Sequence, residues 1–143
     1  MELLAVMALM GIVLSLGTPQ FSKILASVRL NADAQKMASV LKLARQEAIS
    51  TGRPRTVVFY PNNAKYKIIG ESTCFLNPGI NFVGATNFPE NAESLPFCGF
   101  AASGVPSSGG TVVLGNSNSR RYVIVNPAAG RIRVSESPPE NWN

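Results

Sequence analysis

The chain has 143 residues, and its 13 Lys and Arg against 8 Asp and Glu give a formal net charge of +5. This length predicts one domain, and the positive charge fits an anionic partner such as nucleic acid or lipid, although it is also ordinary for exported proteins. There is no histidine, no Cys-x-x-Cys pair, no phosphate-binding glycine loop and no Gly-x-Ser-x-Gly turn, which argues against an enzyme, a metal site and any other cofactor.

The chain begins with an apolar stretch, residues 3–16, which follows Glu2, the only charged residue among the first 22. A carboxylate at the head of an apolar helix is costly in a bilayer unless a cation pairs with it. We therefore predict that Glu2 docks against a cationic group; the alternative is a carboxylate that reaches back to the membrane interface. The stretch is shorter than the roughly 20 residues of a typical membrane span, and continuing it to Phe21 brings it near that length. It also lacks the features of a cleaved secretory signal peptide.

From Phe21 to about Thr51, apolar residues recur at helical spacing, and charged residues including Asp33 are predicted on the opposite face. The sequence Gly17-Thr18-Pro19 predicts a kink or a melted turn, because proline removes a backbone donor. Gly52 and Pro54 end the helix. We therefore divide the chain into a transmembrane or assembly half of the helix (1–22), an amphipathic half (23–52) and a globular β head (53–143).

The head is predicted to consist of short strands joined by turns and one long loop. The loop, residues 84–110, is rich in Gly, Pro, Ser and Asn. The β-branched and aromatic runs predict strands at 55–60, 65–69, 80–83, 97–101, 111–114, 121–125 and 131–134.

The two cysteines, Cys74 and Cys98, lie in loop-like sequence with 23 residues between them. We predict that they form a disulfide, which in an exported head would contribute about 3 kcal/mol. The alternative is a pair of reduced, buried thiols.

Several segments resemble a known family. Residues 2–12 followed by Pro19-Gln20-Phe21 resemble the N-terminal helix of type IV pilins and type II secretion pseudopilins, although the family's basic leader and methylated phenylalanine have no counterpart in this sequence. Residues 44–49 and the end Gly130-Arg131-Ile132-Arg133-Val134 resemble the GspH/FimT subgroup. The resemblance implies an α+β fold, in which a long N-terminal amphipathic or transmembrane helix packs on an antiparallel β-sandwich-like head. It also implies roles in filament assembly for Glu2 and Pro19.

The Gly130-Arg131-Ile132-Arg133 segment is the candidate ligand site. In a strand, Arg131 and Arg133 lie on one face, about 6–7 Å apart, and guanidinium groups bind phosphate through paired hydrogen bonds. Gly130 can adopt a turn that brings backbone close to a ligand, and Arg120 with Arg121 could widen the patch. The resemblance implies capture of double-stranded DNA; the alternative is a solvated strand face, or arginines paired with Glu136 or a neighbouring subunit.

The sequence and the resemblance together predict a minor type IV pilin-like subunit. Its expected partners are other pilin or pseudopilin subunits, the bacterial inner membrane before assembly, and DNA. The head is expected in the periplasm before assembly, after which the subunit is part of the filament. The main alternative is a type II secretion pseudopilin, and a weaker one is a peripheral binding module without a filament role.

Overall fold

The computed structural model describes residues 2–84 and 86–139. One helix, α1 (Glu2–Thr51), precedes eight strands: β1 (Arg55–Tyr60), β2 (Lys65–Ile68), β3 (Thr73–Phe75), β4 (Asn81–Phe82), β5 (Phe97–Phe100), β6 (Gly110–Gly115), β7 (Arg120–Val125) and β8 (Ile132–Ser135). A short 3-10 turn (Pro61–Asn63) joins β1 to β2. This architecture confirms the predicted α+β class with a long N-terminal helix.

The strands form two four-stranded antiparallel sheets. Sheet A has the order β3-β2-β1-β5, and sheet B has the order β4-β6-β7-β8. Each of the seven predicted strands is present within a residue or two. Strand β3 was missed, because a run of three residues carries no periodic signal and its pairing with β2 defines it.

Helix α1 is continuous through Gly17, Thr18 and Pro19, so the predicted melted turn is wrong. A proline inside a helix removes one i→i−4 hydrogen bond, but the turns on both sides still propagate the helix. Among the residues that the structure describes, no helical segment combines the length and apolar character needed to cross a bilayer.

The head packs on the second half of α1 through a buried stripe with helical spacing. The stripe begins at Leu30 and comprises Leu30, Asp33, Ala34, Met37, Ala38, Leu41, Ala44 and Ala48. The small alanines let the sheets approach the helix closely, and Val57, Phe59 and Val123 are among the strand side chains that complete the core. Apolar burial of this kind is the main favourable term in folding.

Asp33 lies within this buried stripe, which corrects the prediction that it lies on the exposed face. Only 2% of Asp33 is exposed, and its carboxylate accepts hydrogen bonds from the backbone N–H and the side-chain Nδ2 of Asn77, both at 2.7 Å. These two donors replace the water that a buried carboxylate loses. The contact joins α1 to the segment that follows β3.

The two cysteines are free thiols, so the predicted disulfide is wrong. Cys74 lies on β3 and Cys98 on β5, the two edge strands of sheet A, with β2 and β1 between them. Three strand spacings amount to about 14 Å, whereas bonded cysteines have Cα atoms less than about 7 Å apart. Cys98 is fully buried, and this burial raises its pKa to about 12.

Candidate functional site

The first half of α1 presents a long exposed apolar surface. Seven large apolar residues between Leu3 and Ile12 are exposed, and so are Phe21, Ile24, Leu25 and Val28. Phe21 is 77% exposed and Val28 is 59% exposed. Exposed apolar surface of this extent is characteristic of a protein or membrane contact.

The exposed apolar residues at positions 21–28 lie on the side of α1 opposite the head. With 3.6 residues per turn, the mean direction of Phe21, Ile24, Leu25 and Val28 lies about 170° from that of the buried stripe. The sequence analysis had placed the apolar residues from Phe21 to about Thr51 on one face of the helix. Helix α1 instead has two apolar faces, one that binds the head and one that faces outward. For this reason we call the group Phe21, Ile24, Leu25 and Val28 the outer face of α1.

The structure describes the two predicted assembly residues only in part. The backbones of Glu2 and Pro19 belong to α1, but their side chains lie outside the described part of the chain. Their roles in assembly therefore stay predictions.

Arg131 and Arg133 line an open groove with a volume of about 830 Å³ on the outer surface of sheet B. Arg133 pairs with Ile124 in the β7–β8 register, and these side chains point away from the core. Both arginines are exposed, and neither forms an ion pair with the residues that the structure describes. Among the described residues that line the groove there is no Asp or Glu, so these residues give it a positive charge that suits an anionic ligand.

Gly130 packs against Arg45 of α1, whereas the sequence analysis had predicted a contact with a ligand. It is buried with a φ of +60°, and a Cβ there would lie 3.2 Å from both Cζ and Nε of Arg45. Arg45 itself donates a hydrogen bond from Nε to the carbonyl oxygen of Gly104 at 2.9 Å. Gly130 therefore allows the β7–β8 turn to pack on α1, and this contact positions the strand that carries Arg131 and Arg133.

Arg120 and Arg121 do not form one patch with the groove arginines. Arg120 lies on the outer surface of sheet B, four residues along β7 from Ile124, or about 13 Å. The side chain of Arg121 is on the other face and pairs with Glu136 at 2.7 Å. Pairing with Glu136 was the alternative weighed for these arginines, and it applies to Arg121.

Arg45 contacts the turn before Arg131, and the sequence analysis did not single it out as a functional residue. It lies in the helical segment 44–49, and Gly130 begins the other segment that resembles the GspH/FimT subgroup. The two segments are more than 80 residues apart in sequence and meet at this arginine. An arginine on the flank of an amphipathic helix carries no sequence signal for such a contact.

Comparison with known families identifies one that covers most of the head and the helix beneath it. The sequence profile described as "Type II transport protein GspH" matches residues 33–129, more than half of the chain. No curated protein matches the chain in sequence.

Solved structures with the same fold include proteins of two filament systems. The minor pseudopilin EpsH from the type 2 secretion system of Vibrio cholerae has a TM-score of 0.62 and 16% identity, and the alignment covers 76% of this chain and 97% of EpsH. The type IV minor pilin FimU of Pseudomonas aeruginosa has a TM-score of 0.54 and 17% identity, with 74% of this chain and 92% of FimU covered. At these identities the likeness establishes the fold.

Proposed function

Because the chain belongs to the GspH family of type II transport proteins, we propose that it is a minor subunit of a pilin-like filament and enters it through α1. The head then lies on one side of the helix, and the outer face of α1 packs against the helices of neighbouring subunits.

The observation that carries this proposal is the position of the outer face, opposite the head. A helix whose only task was to support the head would need one apolar face. Fully burying a side chain the size of Val, Leu, Ile or Phe contributes about 1.5–3 kcal/mol. Packing of Phe21, Ile24, Leu25 and Val28 in a helical bundle therefore offers a substantial driving force for assembly.

The experiment compares Val28→Glu with the matched variant Val28→Leu in cells that make the filament. We expect Val28→Glu to reduce the amount of subunit in sheared filaments at least tenfold, because it places a charge in a helix bundle, and Val28→Leu to enter normally. Thermal unfolding of the head should be the same in both, since Val28 is 59% exposed. Equal incorporation of both variants would refute the proposal.

Residence in the inner membrane before assembly, with Glu2 docking against a neighbour's N-terminal amine, is part of the same proposal. It is supported by the exposed apolar residues at positions 3–12 and by the family. Extraction tests it: the subunit of a strain unable to assemble filaments should stay with the membrane in alkaline carbonate. Its appearance in the soluble fraction would contradict membrane residence and leave filament assembly standing.

A second function, capture of double-stranded DNA, is favoured by the two exposed arginines of the groove. We expect Arg131→Gln with Arg133→Gln to weaken DNA binding at least tenfold and to reduce the dependence of the binding constant on salt, since fewer counterions are released. The matched control is Arg29→Gln with Arg53→Gln, which removes the same charge from exposed sites outside the groove. Equal affinities of the two double variants would reject the site.

Phenotype separates a type IV pilus from a type II secretion pseudopilus. Loss of DNA uptake with normal secretion in a deletion strain supports the pilus. Retained uptake with blocked secretion supports the pseudopilus. A subunit that co-purifies with neither filament would instead be a peripheral binding module.

A further inference from the structure

Strand β3 (Thr73–Phe75) is an edge of sheet A, and its outward backbone groups have no partner among the described residues. The bond from Leu76 N–H to the Ala64 carbonyl oxygen continues the β2–β3 ladder. Hydrogen-bonded pairs alternate in an antiparallel ladder, so Cys74 bonds to Tyr66, and the N–H and C=O groups of Thr73 and Phe75 point away from β2.

The bond from Ile69 N–H to the Thr56 carbonyl oxygen gives the same alternation from the other side of β2. It places the backbone groups of Lys65 and Lys67 toward β1, and those of Tyr66 toward β3. Within the described residues, no hydrogen bond satisfies the outward groups of Thr73 and Phe75. An edge of this kind is a template for another strand.

A groove with a volume of about 290 Å³, lined mainly by apolar side chains, lies beneath this edge, between α1 and the inner face of sheet A. Val40 and Leu43 line it from the helix, and Ile68 and Cys74 line it from the strands. The remaining lining residues, Glu71 and Ser72, belong to the turn between β2 and β3. Leu43 is 47% exposed, so the groove is open and has room for side chains of an added strand.

The opposite face of the same edge is basic and aromatic. Phe75, 63% exposed, lies beside Lys65, and Lys65 lies beside Tyr60 across the sheet. The ammonium groups of Lys65 and Lys67 lie 5.0 and 5.7 Å from the Tyr60 ring centroid, and neither forms an ion pair with a described residue. These three side chains are half-buried, and a cation–π contact contributes only about 0.5–2 kcal/mol, so both lysines can turn toward a carboxylate.

We propose that β3 is the docking edge for an extended segment of a partner protein, in which apolar and acidic residues alternate. The segment adds a fifth strand to sheet A through the backbone of Thr73 and Phe75. Because strand side chains alternate, its apolar residues enter the groove and its acidic residues face Lys65 and Lys67. The inference is independent of the filament role of α1 and of the arginine groove on sheet B.

The test uses the full chain in mild detergent and a fluorescent octapeptide, (Glu-Val)₄, with a shuffled peptide of the same composition as the control. We expect the alternating peptide to bind at least tenfold more tightly. Thr73→Pro removes one outward N–H and should weaken binding at least fivefold, whereas Thr73→Val keeps that N–H and should bind as the wild type does. Proline is tolerated at the first residue of an edge strand, and unchanged thermal unfolding verifies that the sheet remains folded.

Two further measurements locate the peptide. The alternating peptide should slow alkylation of Cys74 at least fivefold, because this thiol lies in the groove, while Cys98 is fully buried. Exchanging both lysines for glutamate should shift preference from (Glu-Val)₄ to (Lys-Val)₄. This reversal does not depend on the proline variant.

Equal binding of the two peptides, or equal affinity of the two Thr73 variants for (Glu-Val)₄, would overturn the proposal. Single-stranded oligothymidine serves as the competing ligand. If it binds the lysine face tightly, irrespective of Thr73→Pro, and the alternating peptide does not bind, the surface is a polyanion site and the added strand is rejected.

Discussion

Replacing Gly130 with alanine tests whether the turn before Arg131 depends on its contact with α1. The φ of Gly130 is +60°, which costs an alanine about 1–2 kcal/mol. The new Cβ would also displace the guanidinium of Arg45 and break its hydrogen bond to Gly104, worth about 1.5–3 kcal/mol for a charged donor. We therefore expect a total destabilisation of about 2.5–5 kcal/mol.

The assay is thermal unfolding of the full chain in mild detergent, followed by circular dichroism. A loss of this size lowers the midpoint by about 10–20 °C in a chain of this length. In the Arg45→Met background the hydrogen bond and the conflict with the guanidinium are already gone. Gly130→Ala should then cost the backbone term of about 1–2 kcal/mol and the close approach of the new Cβ to the Gly104 carbonyl oxygen at 3.2 Å, which is the same in both backgrounds. The difference between the two backgrounds, at least about 1.5 kcal/mol, is the coupling between the two residues.

Gly79→Ala is the matched control. Gly79 has a φ of +85°, and a Cβ there would have no heavy atom within 4 Å, so the substitution reports backbone strain alone. Its cost should be the same with and without Arg45. A coupling below about 0.5 kcal/mol between Gly130 and Arg45 would show that the glycine is needed only for its backbone conformation.

Three further outcomes are expected. Asn77→Ala removes one of two donors to the buried Asp33 carboxylate and should cost about 1.5–3 kcal/mol; unchanged thermal unfolding would show that this contact contributes nothing. In the folded chain Ellman's reagent should modify Cys74 and leave Cys98 unmodified until unfolding; two oxidised thiols in protein purified without reductant would contradict the sheet order. Burial raises the pKa of Cys98 to about 12 and also raises the pKa of Tyr66. Above about pH 9 the unfolded chain therefore loses these protons before the folded chain does, and the free energy of unfolding should fall as the pH rises. A thermal unfolding midpoint that stays constant from pH 8 to 11 would refute this.

Much of the fold could be predicted because its signals are local. The apolar spacing of α1 and the β-branched runs of β1, β6 and β7 are properties of neighbouring residues, and the structure confirms them. Strand β3 could not be found in this way. It is three residues long, and only its pairing with β2 distinguishes it from a loop.

The errors concern residues whose surroundings come from distant parts of the chain. Asp33 has the appearance of an exposed helical residue until Asn77, 44 positions away, supplies its hydrogen bonds. Cys74 and Cys98 were predicted to pair because they are the two cysteines of the chain, but the strand order puts them on opposite edges of one sheet. The arginines at 120 and 121 are neighbours in sequence, and strand alternation sends their side chains to opposite faces.

The sequence by itself determined the helix and seven of the eight strands, the family resemblance and the arginine pair at 131 and 133, because periodicity and short motifs are written in consecutive residues. Only the tertiary structure decided which face of α1 the head covers and which face it leaves outward. It also decided that Gly130 packs on Arg45 and that β3 ends sheet A with an open edge. Each of these depends on contacts between segments far apart in the chain, and a local pattern does not encode which of several apolar or polar surfaces will meet.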